Sequence, residues 1–274
     1  MERKGNTDCR EPKKLYPKQS SQSLTPYRLV GMVASHVPHH IENPPAMTEP
    51  DVNVPAKTRL LDAALKVIRT KGYVATTLDD LCAEAGVTKG SFFHHFKSKE
   101  DLALAAVEHW NTMTGGLFAQ APYTQIADPR DRVLAYIDFR SAILQGELPD
   151  FTCLLGTMVQ ETFETHPRIR DACEHGITLH ARVVAADIAA AKAQYAPDAA
   201  WKPEDLALYT QAAIQGAFIL AKARGSAEIA ANCVAHLRRY VASMLGVAQE
   251  VSPVLVVKPS AKKVTKNSTK QKRP

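Results

Sequence analysis

Four short segments between residues 56 and 114 constrain this chain more than anything else in it. Each carries apolar residues on one helical face, and glycines and capping residues separate them. The first spans Lys57 to Lys71. Leu61, Ala64, Leu65 and Ile68 recur there at i, i+3, i+4 and i+7, which is one face of a helix. Basic Lys71 followed by Gly72 forms a helix stop, and Tyr73 and Val74 follow as apolar anchors. The second segment is Leu78 to Ala85, with Leu78, Leu81, Cys82 and Ala85 on one face. Thr76 or Thr77 is placed to cap it, with Asp79 and Asp80 as partners near the positive end of the helix dipole. Gly86 supplies the left-handed residue that ends it.

The third segment follows after a very short connection. Thr88 is placed as its cap, and the helix is predicted from Lys89 to about His95. Phe92 and Phe96 lie four apart and share an inward face. Lys89 and Phe93, also four apart, share a different one, and Gly90 leaves the backbone bare at the helix start. The fourth segment opens on Ser98 and Asp101, an S-x-x-D capping pair, and places Leu102, Ala105, Ala106 and His109 on one stripe. It is predicted to run to about Thr114, where Gly115 and Gly116 break it. Two short helices joined by a tight turn with glycine form a helix-turn-helix unit. In such units the N-terminal residues of the second helix reach base edges in the major groove.

The stretches Gly72 to Leu81 (GYVATTLDDL) and Ala85 to Leu102 (AGVTKGSFFHHFKSKEDL) closely resemble the DNA-binding domain of the tetracycline-repressor (TetR-like) family. The resemblance covers residues 54–114. It implies that Thr77 and Lys99 hold the phosphate backbone. It implies that Thr88, Lys89 and Gly90 start the reading helix, and that His94 and His95 approach bases or phosphates. Phe93 stands where the family has a tyrosine against the DNA. Without the phenolic hydroxyl it can pack on a thymine methyl or a sugar, but it cannot donate to a phosphate. A metal site at His94, His95 and His109 is not expected. Neighbours on a helix do not face each other, and no acidic or thiol partner stands at ligand spacing.

The rest of the chain is rich in helix formers and lacks strand-like alternation. Breaks near Asp128-Pro129, Gly146 to Pro149, His166-Pro167, Pro197 to Pro203 and Gly225 divide residues 117–250 into helices at about 129–145, 152–165, 167–195, 203–223 and 226–245. The expected fold class is therefore all-α: an N-terminal three-helix DNA-binding domain with a C-terminal helical-bundle ligand and dimerisation domain. In Pro203–Ala223 the stripe is Leu206, Tyr209, Ala213, Gly216, Ala217 and Leu220. In Ser226–Leu245 it is Ile229, Cys233, Leu237, Tyr240 and Leu245. The resemblance implies a homodimer through these two helices, with two reading helices roughly 34 Å apart on a near-palindromic operator. It also implies a pocket for a small-molecule inducer, for which Trp110, Met113, Phe118, Phe139, Cys153, Met158 and Phe163 are the candidate lining. Cys153 begins a helix, where the dipole can lower a thiol pKa, although a buried structural cysteine is the plainer alternative. Glu161 and Glu164 are read as a solvated face.

Charge is unevenly placed. Residues 252–274 hold seven basic residues and no acidic ones, within a chain of net charge +6. The body, residues 51–251, is slightly acidic, with 20 basic and 23 acidic residues. The 252–274 segment reads as a basic disordered tail within a stretch beginning at 251, and counterion release would draw it to DNA phosphates. Residues 1–53 are proline-rich and without period, which reads as a disordered extension, with Met47 as a possible true start. Five widely spaced cysteines without a C-x-x-C pair indicate neither a disulfide framework nor zinc, and favour a reducing cytosol. Met1 to Ser23 has no signal-peptide core, and no apolar run is long enough for a membrane span. The motifs G-x-S-x-G, Walker A, G-x-G-x-x-G and H-E-x-x-H are all missing from the sequence. The expectation is a cytoplasmic, nucleoid-associated regulator and not an enzyme, needing no cofactor or metal. It is expected to be a repressor released from its operator by a small molecule, with double-stranded operator DNA, a second copy of the chain and an unidentified inducer as partners. The alternatives are a basic-tailed architectural DNA binder without ligand response and, more remotely, a helical enzyme.

Overall fold

A computed structural model describes residues 54–247, and its regular elements are all helical among these residues. The extensions 1–53, with Met47, and 251–274, with the lysine cluster, lie outside the described residues. The front of the chain forms α1 (Ala56–Lys71), α2 (Leu78–Ala85), α3 (Lys89–His95) and α4 (Lys99–Ala119). A 3₁₀ turn at Pro122–Gln125 leads to α5 (Pro129–Ala142), a single turn α6 (Leu148–Phe151), α7 (Leu154–Thr162), α8 (Pro167–Tyr195), α9 (Pro203–Arg224) and α10 (Ala227–Met244).

The helix ends follow from local chemistry. Gly72 closes α1 at φ 87°, and Gly86 closes α2 in the left-handed region at φ 60°. Thr77, rather than Thr76, caps α2: its hydroxyl accepts the Asp80 N–H at 3.1 Å, and the Asp80 carboxylate accepts the Thr77 N–H at 2.8 Å. Thr76 is buried and donates its hydroxyl to the Gly72 carbonyl at 2.6 Å. Thr88 and Ser98 cap α3 and α4 by accepting the N–H groups of Ser91 and Asp101.

Two boundaries differ from expectation. Gly115 and Gly116 do not stop the fourth helix, which continues to Ala119. A mid-helix glycine costs about 1 kcal/mol relative to alanine, but a stop needs a residue that leaves helical φ. The positive-φ glycines are Gly72, Gly86, Gly146, Gly225 and Gly246. The helix expected over 152–165 is the shorter α7, capped by Cys153, and the expected break before it holds the single turn α6.

The apolar residues form two cores, and the division between them falls inside the rear helices. Leu60, Ile68, Leu81, Phe92 and Leu102 of the front module pack together with Leu154, Leu155 and Met158 of α7 and with Ile169 and Cys173 of α8. The second core joins Val133, Ile137, Ile188, Ile214, Phe218, Val234 and Leu237 of the rear bundle. α4 serves both, burying Leu102 and Ala106 in the first and Phe118 in the second. Met158 is fully buried. Met158→Ala is expected to cost about 2–5 kcal/mol through lost burial and an unfilled cavity. Urea melts followed by circular dichroism check this, and the loss should appear in one transition that includes the front module.

Candidate nucleic-acid interface and interior polar cluster

The reading helix α3 presents one outer face. Phe92 is fully buried and Phe96 nearly so, whereas Phe93 is 54% exposed and stands edge-on to Phe92 with ring centroids 5.3 Å apart. Lys89, Gly90 and His94 are exposed, and His95 is half-buried with its ring 4.9 Å from that of His94. A Cβ at Gly90 would meet no atom nearer than the Thr88 hydroxyl at 3.7 Å. The fold thus does not require glycine there, and the bare backbone is open to close approach from outside.

Lys89 lies 2.7 Å from the Asp79 carboxylate, and that hydrogen bond raises its pKa above the ordinary lysine value. Both side chains are solvent-exposed, so the pair is weak and is exchangeable for another anion. Thr77 is exposed at the start of α2. Lys99 turns inward, donating to the carbonyls of Tyr73 at 3.0 Å and Thr76 at 2.9 Å, with its ammonium 4.4 Å from the centre of the Tyr73 ring. Burial lowers its pKa. In this structure it holds the α1–α2 turn that carries Thr77.

Further groups near that turn escaped the sequence reading. Val74, expected as an anchor, is 64% exposed, and Tyr73 alone is buried. The Val74 N–H donates to the Glu161 carboxylate of α7 at 2.8 Å. Glu161 is thus a tie between α7 and the turn, not merely a solvated residue of its helix. A Cβ at Gly72 would collide with that same carboxylate. Arg69 of α1 donates to the carbonyls of Asp150 at 3.2 Å and Thr152 at 3.4 Å, and its guanidinium lies 5.0 Å from the centre of the Trp110 ring. His166 meets Tyr73 edge-on at 5.2 Å. Such partners lie far apart in the chain, so no local pattern announces them.

The candidate pocket residues are not gathered around one space. Met158 belongs to the front core, Met113 and Phe163 are 46% and 56% exposed, and Trp110 stacks with Arg69. Cys153 is half-buried, and its sulfur accepts the Gly156 N–H. Trp110, Cys153 and Met158 share the front core, whereas Phe118 and Phe139 stand together in the rear one, at 5.8 Å, and border a polar cluster that the sequence did not reveal. Within it, Tyr136 Oη lies 2.9 Å from His180 Nε2, and Gln211 Nε2 donates to Tyr136 Oη at 3.2 Å. Arg140 Nη1 lies 3.5 Å from the same His180 nitrogen. Burial, and secondarily the Arg140 charge, pushes the His180 pKa down to about 3, while burial pushes the Tyr123 hydroxyl up to about 12.

The two stripes expected to face a partner subunit each mix two surfaces. Leu206, Ala217, Leu237 and Leu245 are core. The outward apolar set is Leu208, Tyr209, Ile219 and Leu220 on α9 with Tyr240 on α10, and Tyr209 and Tyr240 pack with centroids 5.1 Å apart. Among the described residues, no three His, Cys, Asp or Glu side chains gather as a metal site. No helix there is long and apolar enough to cross a membrane.

Comparison with known proteins fits this arrangement. Residues 60–106 match the model for bacterial regulatory proteins of the tetR family, and residues 129–236 match the C-terminal domain of LmrA/YxaF-like transcriptional regulators. The transcriptional regulator AcuR of Cereibacter sphaeroides is 30% identical over 112 residues, which is 41% of this chain and 51% of that protein. The chain spans less than two thirds of the length of the curated relatives it matches. A TetR regulatory protein from Rhodobacter sphaeroides superposes with a TM-score of 0.61 at 25% identity, over 68% of this chain and 98% of that one. A cysteine mutant of the TetR-family regulator CifR, solved with 26-bp operator DNA, superposes at 0.57 with 21% identity, over 67% and 95%. The chain belongs to the TetR family of helix-turn-helix, DNA-binding transcriptional regulators.

The His180 environment carries a pH consequence. An unfolded histidine takes up a proton near pH 6.5, whereas folded His180 resists protonation down to about 3. Within that window the unfolded chain binds more protons, so stability falls as pH falls. Denaturant melts between pH 7 and pH 4 should show wild type losing stability relative to His180→Gln, with the difference opening below about pH 6.5.

Proposed function

We propose that the protein is a homodimeric repressor that leaves a near-palindromic operator when a small molecule occupies its rear domain. The observation that carries the DNA half is the outer face of α3, where Lys89, Gly90, Phe93 and His94 stand exposed over a buried Phe92. Lys89 exchanges Asp79 for a guanine edge, Thr77 and His95 take phosphates, and Phe93 packs on a thymine methyl or sugar. Lys99 acts mainly through the turn it clamps, so that Thr77 meets the backbone at a fixed position. CifR, a relative in fold, has been solved with operator DNA, which supports docking of this kind.

Support for ligand control comes from the shared core. α7 and α8 complete the packing of the front module, and Glu161 and Arg69 tie the same elements together by hydrogen bonds. A change in the rear bundle therefore reaches α1 and its turn through contacts already made. Dimerisation is assigned to the outward α9 face, whose four exposed large apolar residues, with Tyr240, would leave an unusual patch uncovered on a monomer.

Lys89→Ala is expected to weaken operator binding by about 1–3 kcal/mol and to relax discrimination at a guanine position. Gel-shift titrations on the operator and on base-substituted variants measure both, and unchanged affinity would remove Lys89 from the reading set. Ile219→Asp should turn the dimer into monomers by sedimentation velocity while the helical circular dichroism signal stays. A variant that remains dimeric places the interface elsewhere.

A further inference from the structure

Arg140 has no carboxylate partner among the described residues. It projects from α5 into the rear bundle and is only 9% exposed. Its neighbours are neutral: the Phe118 ring, 5.2 Å from the guanidinium carbon, and His180 Nε2 at 3.5 Å, which is long for a hydrogen bond. A guanidinium carries five N–H donors in a planar fork. Here Nη1 has one weak neutral acceptor, and the remaining guanidinium nitrogens keep some contact with solvent, from which a ligand can reach them.

The hydrogen bonding around it is directional. Tyr136 Oη accepts from Gln211 Nε2, so its own proton is free for His180 Nε2. His180, held neutral, accepts there with its unprotonated nitrogen. The Tyr136 proton is thus taken up by His180, and the groups with N–H donors to spare are the Arg140 guanidinium and the second N–H of the Gln211 amide, with no carboxylate beside them among the described residues. Aromatic rings wall it: Phe118, Tyr123 and Phe139 stand 5.8 Å apart in successive pairs. Arg140 sits at the crossing of α5 and α8, and Phe118, against which it lies, is on the helix that begins at Lys99.

We propose that this cluster is the recognition point for a small organic carboxylate, taken end-on by Arg140 with the Gln211 amide, positioned by Tyr136, as accessory donor and with its carbon body against the aromatic wall. A carboxylate matches the guanidinium fork with two parallel hydrogen bonds, and it brings the charge that the site lacks. A flat or short apolar body suits rings that prefer edge and offset contacts. The assignment rests on the ligand-controlled reading above and gives its ligand a chemical class.

The test uses the full chain. Acetate, crotonate and benzoate, each beside its primary amide, are titrated calorimetrically and by thermal shift against wild type, Arg140→Gln and Tyr136→Phe. The expected result is that at least one carboxylate binds and its amide does not. Arg140→Gln should weaken that carboxylate about tenfold or more, the scale of one charged hydrogen bond, and Tyr136→Phe should weaken it less. Arg140→Gln without ligand should keep the wild-type helical circular dichroism signal, so that lost binding is not lost folding. Equal binding of acid and amide, binding indifferent to Arg140, or no binding by any carboxylate overturns the proposal; so does binding of sulfate or phosphate in preference to all three. A gel shift on the operator separates the two layers. Arg140-dependent carboxylate binding that leaves the operator complex intact retains the site and refutes ligand release. Release by a neutral molecule in Arg140→Gln refutes the site and retains release.

Discussion

The front module cannot close its own core. Three short helices of sixteen, eight and seven residues enclose Leu60, Leu81 and Phe92, and the remaining apolar surface is covered by α4, by Leu154, Leu155 and Met158, and by the first turns of α8. Short helices are marginal alone and draw their stability from packing. The reading helix packs on α1 and α2, and α7 and α8 support it through α1 and α4. Arg69, Tyr73 and Glu161 add hydrogen bonds and a ring contact to an interface that hydrophobic burial already fixes.

Electrostatics divides along the same lines. On the outside, Lys89 and Asp79 pair in full solvent, where the attraction is weak and a better anion displaces the carboxylate. Inside, burial lowers the His180 pKa, so the imidazole stays neutral beside the Arg140 guanidinium. Among the described residues no carboxylate joins this cation, whereas the surface pair has one at hand.

Much of this was legible in the sequence because its signals are local. The caps at Thr77, Thr88 and Ser98, the stops at Gly72 and Gly86, and the split of Phe92 and Phe96 from Phe93 all follow from spacings of three and four residues. The failures are equally physical. Gly115 and Gly116 look like a break by composition, but nothing there forces a left-handed residue. The α9 and α10 stripes mix core and surface because both are apolar and a helix shows two such faces without saying which is covered. Met158, Met113 and Phe163 were grouped as pocket lining, yet one is fully buried between domains and two are exposed. The Tyr136–His180–Gln211–Arg140 cluster joins three helices, up to 75 residues apart in the chain, and no periodicity carries such information.

Gly72 is held by two unrelated constraints: a backbone at φ 87°, and a carboxylate standing where its side chain would be. The second is the softer of the two, because the Glu161 carboxylate is the end of a flexible side chain and can swing aside. Any larger residue at position 72 would therefore displace that carboxylate, loosen its bond to the Val74 N–H, and still hold a left-handed φ, so strain at one backbone position becomes slack between α7 and the α1–α2 turn.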